Sequence, residues 1–188
     1  MHAKIVIAIV LTAIVATSIS CGRERSISDK ILHENVTIPY NGLLKLKNRK
    51  SILTDSSNNV KKWTIVNFIG KKDCSQCTLF KLGLWDKMSS LMRSENFDSR
   101  IIFILRISAN EYESMSETFR LTNQDYEVYV DTFGLFTKKN PWMTTDNKSL
   151  TFIIDSVSCI NFIGNPIKNE NKEREFINFI KANSDAQI

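Results

Sequence analysis

Trp63-Thr64-Ile65-Val66-Asn67-Phe68-Ile69-Gly70-Lys71-Lys72-Asp73-Cys74-Ser75-Gln76-Cys77 passes from an apolar segment, through a charged break, into a pair of cysteines. Residues 63–69 carry aromatic and β-branched side chains with little alternation, the pattern of a strand buried on both faces. Gly70-Lys71-Lys72-Asp73 interrupts it. Cys77, Phe80, Leu84, Met88 and Leu91 then recur every three or four residues, which predicts one helix over residues 74–93 with these residues as its core stripe. Two residues between the cysteines bring both sulfurs to one turn at the helix start, where a disulfide can close and reopen. Unpaired N–H groups and the helix dipole stabilise a thiolate there. Lys71 and Lys72 add to that effect and Asp73 opposes it. Cys74, nearer the helix end, is the expected attacking thiol; Cys77, one turn deeper, is the expected resolving thiol. On these residues alone a structural disulfide, or two unrelated buried thiols, stays open.

Outward from this core, Ile101 to Leu105 predicts a second strand. Asn110 is the expected N-cap of a helix carrying Tyr112, Met115, Phe119 and Leu121. Tyr126 to Asp131 is a third strand, Leu150 to Asp155 a fourth, and Cys159 to Ile163 a fifth, turned back through Ser156-Val157-Ser158. Phe176, Ile177, Phe179 and Ile180 mark a C-terminal amphipathic helix. The order predicts an α/β fold, a mixed sheet with helices on its faces. Upstream, Val36 to Ile38 and Leu43 to Leu46 are short strand candidates around the turn Pro39-Tyr40-Asn41-Gly42.

The chain has 188 residues, 43% hydrophobic and 24% charged, with a net charge of +5. That charge is scattered, so no nucleic-acid partner is expected. The N-terminus reads as an address. Lys4 precedes an apolar run, Ile5 to Ala16. Twelve helical residues at about 1.5 Å each span roughly 18 Å, short of a hydrocarbon core of about 30 Å. Small residues then lead to Cys21, which resembles the lipobox of bacterial lipoproteins apart from Ser18, where Leu is usual. The expectation is a lipoprotein-type signal peptide over 1–20, lipidation at Cys21, a tether with a weak β extension over 21–59, and the folded domain over 60–188. It implies a cell-envelope location, lipid-anchored on the periplasmic side, in a compartment where a cysteine pair can be oxidised.

Residues 60–183 resemble the thioredoxin-like superfamily, specifically its envelope-located TlpA/ResA-type branch. The resemblance rests on Val66-Asn67-Phe68, the Cys74-Ser75-Gln76-Cys77 motif, the helix pattern after it, Thr151 to Asp155, the following hairpin, and Ile163-Gly164-Asn165-Pro166-Ile167. It implies a thioredoxin-like three-layer fold and thiol–disulfide exchange, with Cys74 attacking and Cys77 resolving, so that these two form the redox disulfide. The chain departs from the family pattern in three places. Asp73 stands where an aromatic residue is usual, the loop from Asn67 to Cys74 is one residue longer, and Ser149 occupies the cis-proline position. A non-proline cis bond costs about 2.5–4 kcal/mol, against about 0.5–1 for X–Pro, so a trans bond is expected at Ser149. The substrate groove is expected at Ser149 and Leu150. Asn67 lies nearest the place of the family's buried acid and cannot take a proton.

Absent residues narrow the chemistry. Only His2 and His33 are present, and no histidine follows His33. A cysteine–histidine copper site, a c-type haem site and a Cys–His hydrolase each lack their histidine. Phe68 to Asp73 lacks the Pro and Thr that precede a peroxidatic cysteine in peroxiredoxins. A zinc site needs two further ligands, of which Cys159 supplies at most one. No metal and no cofactor is expected. Cys159 reads as a packing residue, and Trp142 as a core or rim aromatic that could line the groove. The function expected is an envelope thiol–disulfide oxidoreductase, with disulfide-bearing envelope proteins and a separate electron donor as partners, and the membrane reached through the lipid. The alternative is a non-catalytic binding lipoprotein with a structural cysteine pair.

Overall fold

Six of the seven residues of Trp63–Ile69 are buried, and this strand, β2, has a hydrogen-bonded neighbour on each side. The computed structural model describes residues 30–48, 61–122, 124, 126–143, 145 and 148–184. The signal peptide expected over 1–20, the lipidation at Cys21 and the tether stretches 21–29 and 49–59 lie outside them. In chain order come β1 (Leu44–Lys45), β2, α1 (Ser75–Phe80), a 3-10 turn (Leu82–Trp85), α2 (Asp86–Ser94), β3 (Ser99–Arg106), α3 (Tyr112–Arg120), β4 (Glu127–Asp131), α4 (Leu135–Lys139), β5 (Leu150–Asp155), β6 (Ile160–Ile163) and α5 (Glu170–Asn183). The sheet order is β1-β4-β3-β2-β5-β6. β2, β3 and β4 run parallel, β5 lies antiparallel on β2, and β6 antiparallel on β5. A parallel βαβ half joined to a ββα hairpin half is the thioredoxin-like arrangement that the resemblance implies.

Alternation along the strands sorts their side chains to two faces. Ile65, Ile101, Phe103, Val128 and Ile153 point to a first face, covered by Leu79, Leu82, Trp85, Met88, Phe119, Phe176 and Ile180 from the helical segments. Val66, Phe68, Ile102, Ile104, Phe152 and Ile154 point to the second face, where Phe136 of α4 meets Val36 and Leu43 of the upstream segment. That segment is tied at several points. Val36 N–H donates to Ser158 O (2.8 Å), and β1 pairs with β4. The wholly buried Asn140 accepts from Thr37 N–H (2.8 Å) and donates to Thr37 O (2.9 Å) and Phe136 O (2.7 Å). Val36 to Ile38 forms no strand; an isolated bridge, Asn35 to Cys159, stands there instead.

The predicted single helix is broken in two, and its phase differs. Phe80 and Leu84, expected on the core stripe, are 73% and 55% exposed, and Leu79, Leu82 and Trp85 are buried in their place, in line with Met88, which is buried as expected. These four repeat every three residues. On a continuous α-helix such a run rotates about 60° per step and leaves the face, whereas a 3-10 turn of three residues per turn keeps it aligned. The 3-10 turn at Leu82–Trp85 does this, with Gly83 in it. The next helix differs too. Ser108, not Asn110, caps its entry, a 3-10 turn at Ala109–Glu111: the Ser108 hydroxyl and N–H (2.8 Å) both donate to Glu111 Oε2, and these hydrogen bonds hold the Glu111 carboxyl below the usual carboxylate range.

Two predictions follow from the helix phase and the Asn140 clamp. Trp85→Ala should lower stability by about 3–5 kcal/mol and Phe80→Ala by less than about 0.5 kcal/mol, read as urea midpoints. Equal losses would restore the continuous-helix phase. Asn140→Ala strands buried partners at Thr37 and Phe136 and should cost about 1–3 kcal/mol or more in the same measurement.

Candidate functional site

The parallel strands β2 and β3 end on the same side of the sheet, and the cysteine turn leaves from the end of β2. Asp73 N–H donates to Gly70 O (2.9 Å), closing the turn. Cys74 is extended at the head of α1 (φ −73°, ψ 96°). Its Sγ accepts from Cys77 N–H at 3.1 Å, and its carbonyl accepts from Thr78 N–H at 3.1 Å and Thr78 Oγ1 at 3.2 Å. A sulfur therefore takes the place of the usual hydroxyl or carboxylate cap. Cys74 and Cys77 are joined as a disulfide with their Cα atoms 5.2 Å apart. Both residues are exposed, and Cys77 is not on the core stripe, because α1 is only six residues long and turns Leu79 inward instead. What favours negative charge on Cys74 is thus a direct N–H contact rather than the dipole of a long helix.

Ser149 sits against this turn. Its N–H donates to Asp73 Oδ2 at 3.1 Å, its hydroxyl also donates to Asp73, and its Oγ accepts from Gly70 N–H at 3.0 Å. No cis peptide bond occurs among the described residues. The departures at positions 73 and 149 are therefore partners: the carboxylate before Cys74 takes a backbone N–H that a proline at 149 would lack. Neither position signals the other in sequence. Leu150 does not join the groove; strand alternation turns it to the second face, beside Val66, Phe68 and Phe152.

A groove of about 340 Å³ runs beside the disulfide, lined among others by Asn67, Cys77, Lys81, Leu84, Ser149 and Lys168. A smaller hollow of about 210 Å³ lies against Cys74 toward α3, with Lys71, Arg106 and Glu111 at its wall. Asn67, a polar residue of the buried strand, is 2% exposed, and its Oδ1 accepts from Thr151 Oγ1 at 2.9 Å. Trp142 lies elsewhere: its ring meets Phe152 edge to face and its Nε1 donates to Asn35 O at 3.0 Å. Cys159 is a free, half-buried thiol whose Sγ donates to His33 O at 3.4 Å. Among the described residues no group of three or more His, Cys, Asp or Glu side chains is placed to hold a metal.

No protein-family model matches the sequence, and no curated protein matches it. Solved structures do show likeness. A thioredoxin-like protein from Porphyromonas gingivalis is 20% identical, over 75% of this chain and 89% of that one, with a TM-score of 0.49. A candidate thiol:disulfide interchange protein DsbE from Chlorobium tepidum is 10% identical, over 79% and 99%, with a TM-score of 0.49. The peroxidoxin BcpB from Mycobacterium tuberculosis is 13% identical, over 80% and 96%, with a TM-score of 0.48. The fold is thioredoxin-like. Its strand order and connections are those of that fold; these similarities, near one another in extent yet attached to different activities, choose no activity for this chain.

Ser149→Ala removes the hydroxyl that joins Asp73 to Gly70 and should cost about 0.5–2 kcal/mol. Asp73→Asn removes a negative charge next to Cys74 and should make the disulfide more oxidising by about 10–30 mV against a glutathione couple. A potential that falls in Asp73→Asn would overturn this account of the turn.

Proposed function

We propose that the chain is a thiol–disulfide oxidoreductase of the bacterial envelope that reduces or exchanges disulfides in other envelope proteins. One observation carries the reading: an exposed Cys74–Cys77 disulfide at the head of α1, with a groove alongside it. A thioredoxin-like sheet holding such a pair supports a redox role. Exposure of both cysteines favours exchange over a structural bond, which gains nothing from being accessible.

In the reducing direction the Cys74 thiolate attacks one sulfur of a substrate disulfide. A Cys74–substrate bond forms, the substrate S–S bond breaks, and the second substrate sulfur leaves as a thiolate. Cys77 then attacks the Cys74 sulfur, re-forming the Cys74–Cys77 bond and expelling the first substrate sulfur. The substrate gains two electrons and, with two protons from solvent, becomes a dithiol. A separate dithiol donor returns the pair to its reduced form. The apolar run before Cys21 and the Thr17-Ser18-Ile19-Ser20 stretch support delivery to the envelope and a lipid anchor at Cys21, which holds the domain at the membrane. Multiple acyl chains are needed for firm anchoring, since one binds only marginally. Among the described residues no helix is long and apolar enough to cross a membrane.

Cys77→Ala should accumulate mixed disulfides with envelope proteins, and Cys74→Ala together with Cys77→Ala should abolish them, read on non-reducing gels after acid quenching. The wild-type protein should also reduce insulin. No trapped species, no turnover and a potential below about −300 mV would instead indicate a structural bond in a binding protein. Cys21→Ala should shift the protein out of the membrane fraction; unchanged retention would remove the lipid anchor from this reading.

A further inference from the structure

Asn67 is almost wholly enclosed, yet its Nδ2 has no hydrogen-bond partner. Buried amide donors without an acceptor are rare, and each calls for an explanation. Here the carbonyl end is fixed by Thr151 Oγ1, so the N–H₂ end is the free one, and the residue lines the groove that also contains Cys77. Lys81 and Lys168 in that groove are donors and cannot accept from it. Asp73 is engaged by Ser149. A disulfide sulfur is a poor acceptor, whereas a thiolate is a strong one. Of the groups lining the groove, the Cys74 and Cys77 sulfurs are those whose accepting power changes with redox state, and the Cys74 sulfur already accepts from Cys77 N–H at 3.1 Å, which leaves the Cys77 sulfur.

We propose that Asn67 Nδ2–H donates to the Cys77 sulfur once the disulfide is opened, holding the resolving cysteine as a thiolate. This rests on the assignment of Cys77 as the resolving thiol. When a dithiol reduces the bond and is itself oxidised to a disulfide, Cys74 and Cys77 together gain two electrons. The proton that Cys77 does not keep goes to solvent. The reduced state then gains a hydrogen bond that the oxidised state lacks. An amide has no proton to exchange near neutral pH, so Asn67 stabilises the thiolate without acting as acid or base. Other charges face the pair: Asp73, Lys81 and Lys168 along the groove, and Lys71, Arg106 and Glu111 in the hollow by Cys74. All of them remain in the variants below, so their contribution is constant.

The test compares the pH dependence of Cys77 alkylation by iodoacetamide in Cys74→Ala and in Cys74→Ala with Asn67→Leu. Leu has the same branched shape and number of side-chain heavy atoms as Asn and has no donor. The midpoint should rise by about one to two pH units, the worth of a hydrogen bond to a charged group. Coinciding midpoints would overturn the proposal. A second measurement uses the wild-type protein: on reduction with dithiothreitol, one Asn67 side-chain amide proton should move downfield in the nitrogen–proton NMR spectrum, while those of Asn140 stay in place. An unmoved Asn67 signal would also overturn it. Neither readout requires turnover. Absent insulin reduction with a moved midpoint would sink the oxidoreductase reading alone; insulin reduction with an unmoved midpoint would sink the Asn67 role alone.

Discussion

The antiparallel junction of β2 with β5 fixes where everything else goes. β2 lies between β3 and β5 in a register that sets Asn67 opposite both Phe103 and Thr151. A slip of one residue on either side would turn Ile65 and Val66 to the wrong faces and expose two apolar layers. Because that register is locked by burial, the residues just beyond the two strand ends, Gly70 to Cys74 and Ser149, meet at one place. The cysteine turn inherits its position from the sheet and not from the short helix that follows it. The same junction puts Asn67 and Thr151 side by side on the first face, where Thr151 Oγ1 holds the amide by its oxygen.

Most of that sheet was legible in sequence, and for a simple reason. Trp63–Ile69, Ile101–Leu105 and Leu150–Asp155 are dense in β-branched and aromatic residues, and strands buried on both faces must be so. The cysteine pair was equally plain, since its spacing is local. The helix phase was not. The residues at 77, 80, 84, 88 and 91 make a good α-helical stripe, and nothing nearby rejects it. The competing stripe, Leu79, Leu82, Trp85 and Met88, is self-consistent only if the chain tightens to three residues per turn. Tertiary packing of Trp85 against Phe103 and Phe176 makes that choice. Val36 and Leu43 were visible as apolar residues, but their burial against the second face depends on Asn140, about a hundred positions away.

The departures from the family pattern take on a different sense in three dimensions. In sequence, Asp73 and Ser149 each look like a loss. Together they build a turn in which the carboxylate accepts from Ser149 and Ser149 accepts from Gly70. An aromatic residue at 73 would have no use for the Ser149 N–H, and a proline at 149 would offer Asp73 none. The two substitutions are therefore coherent only as a pair. The same reasoning applies to Asn67: read alone it is a missing acid, but beside Thr151 it is an oriented donor.

These constraints bear on how a partner can approach. The Ser149 N–H is committed to Asp73, so position 149 offers no free backbone donor, as a proline there would offer none. Under the proposed function, a partner docking beside the disulfide meets side chains there. Those on offer in the groove are the exposed Leu84, the half-buried Ile167, and the cations Lys81 and Lys168. Leu84 is exposed because the 3-10 turn gave its place in the core to Leu82 and Trp85. The helix break thus does two jobs. It completes the first-face core, and it leaves an apolar side chain at the rim of the groove, within the same short segment that carries the cysteines.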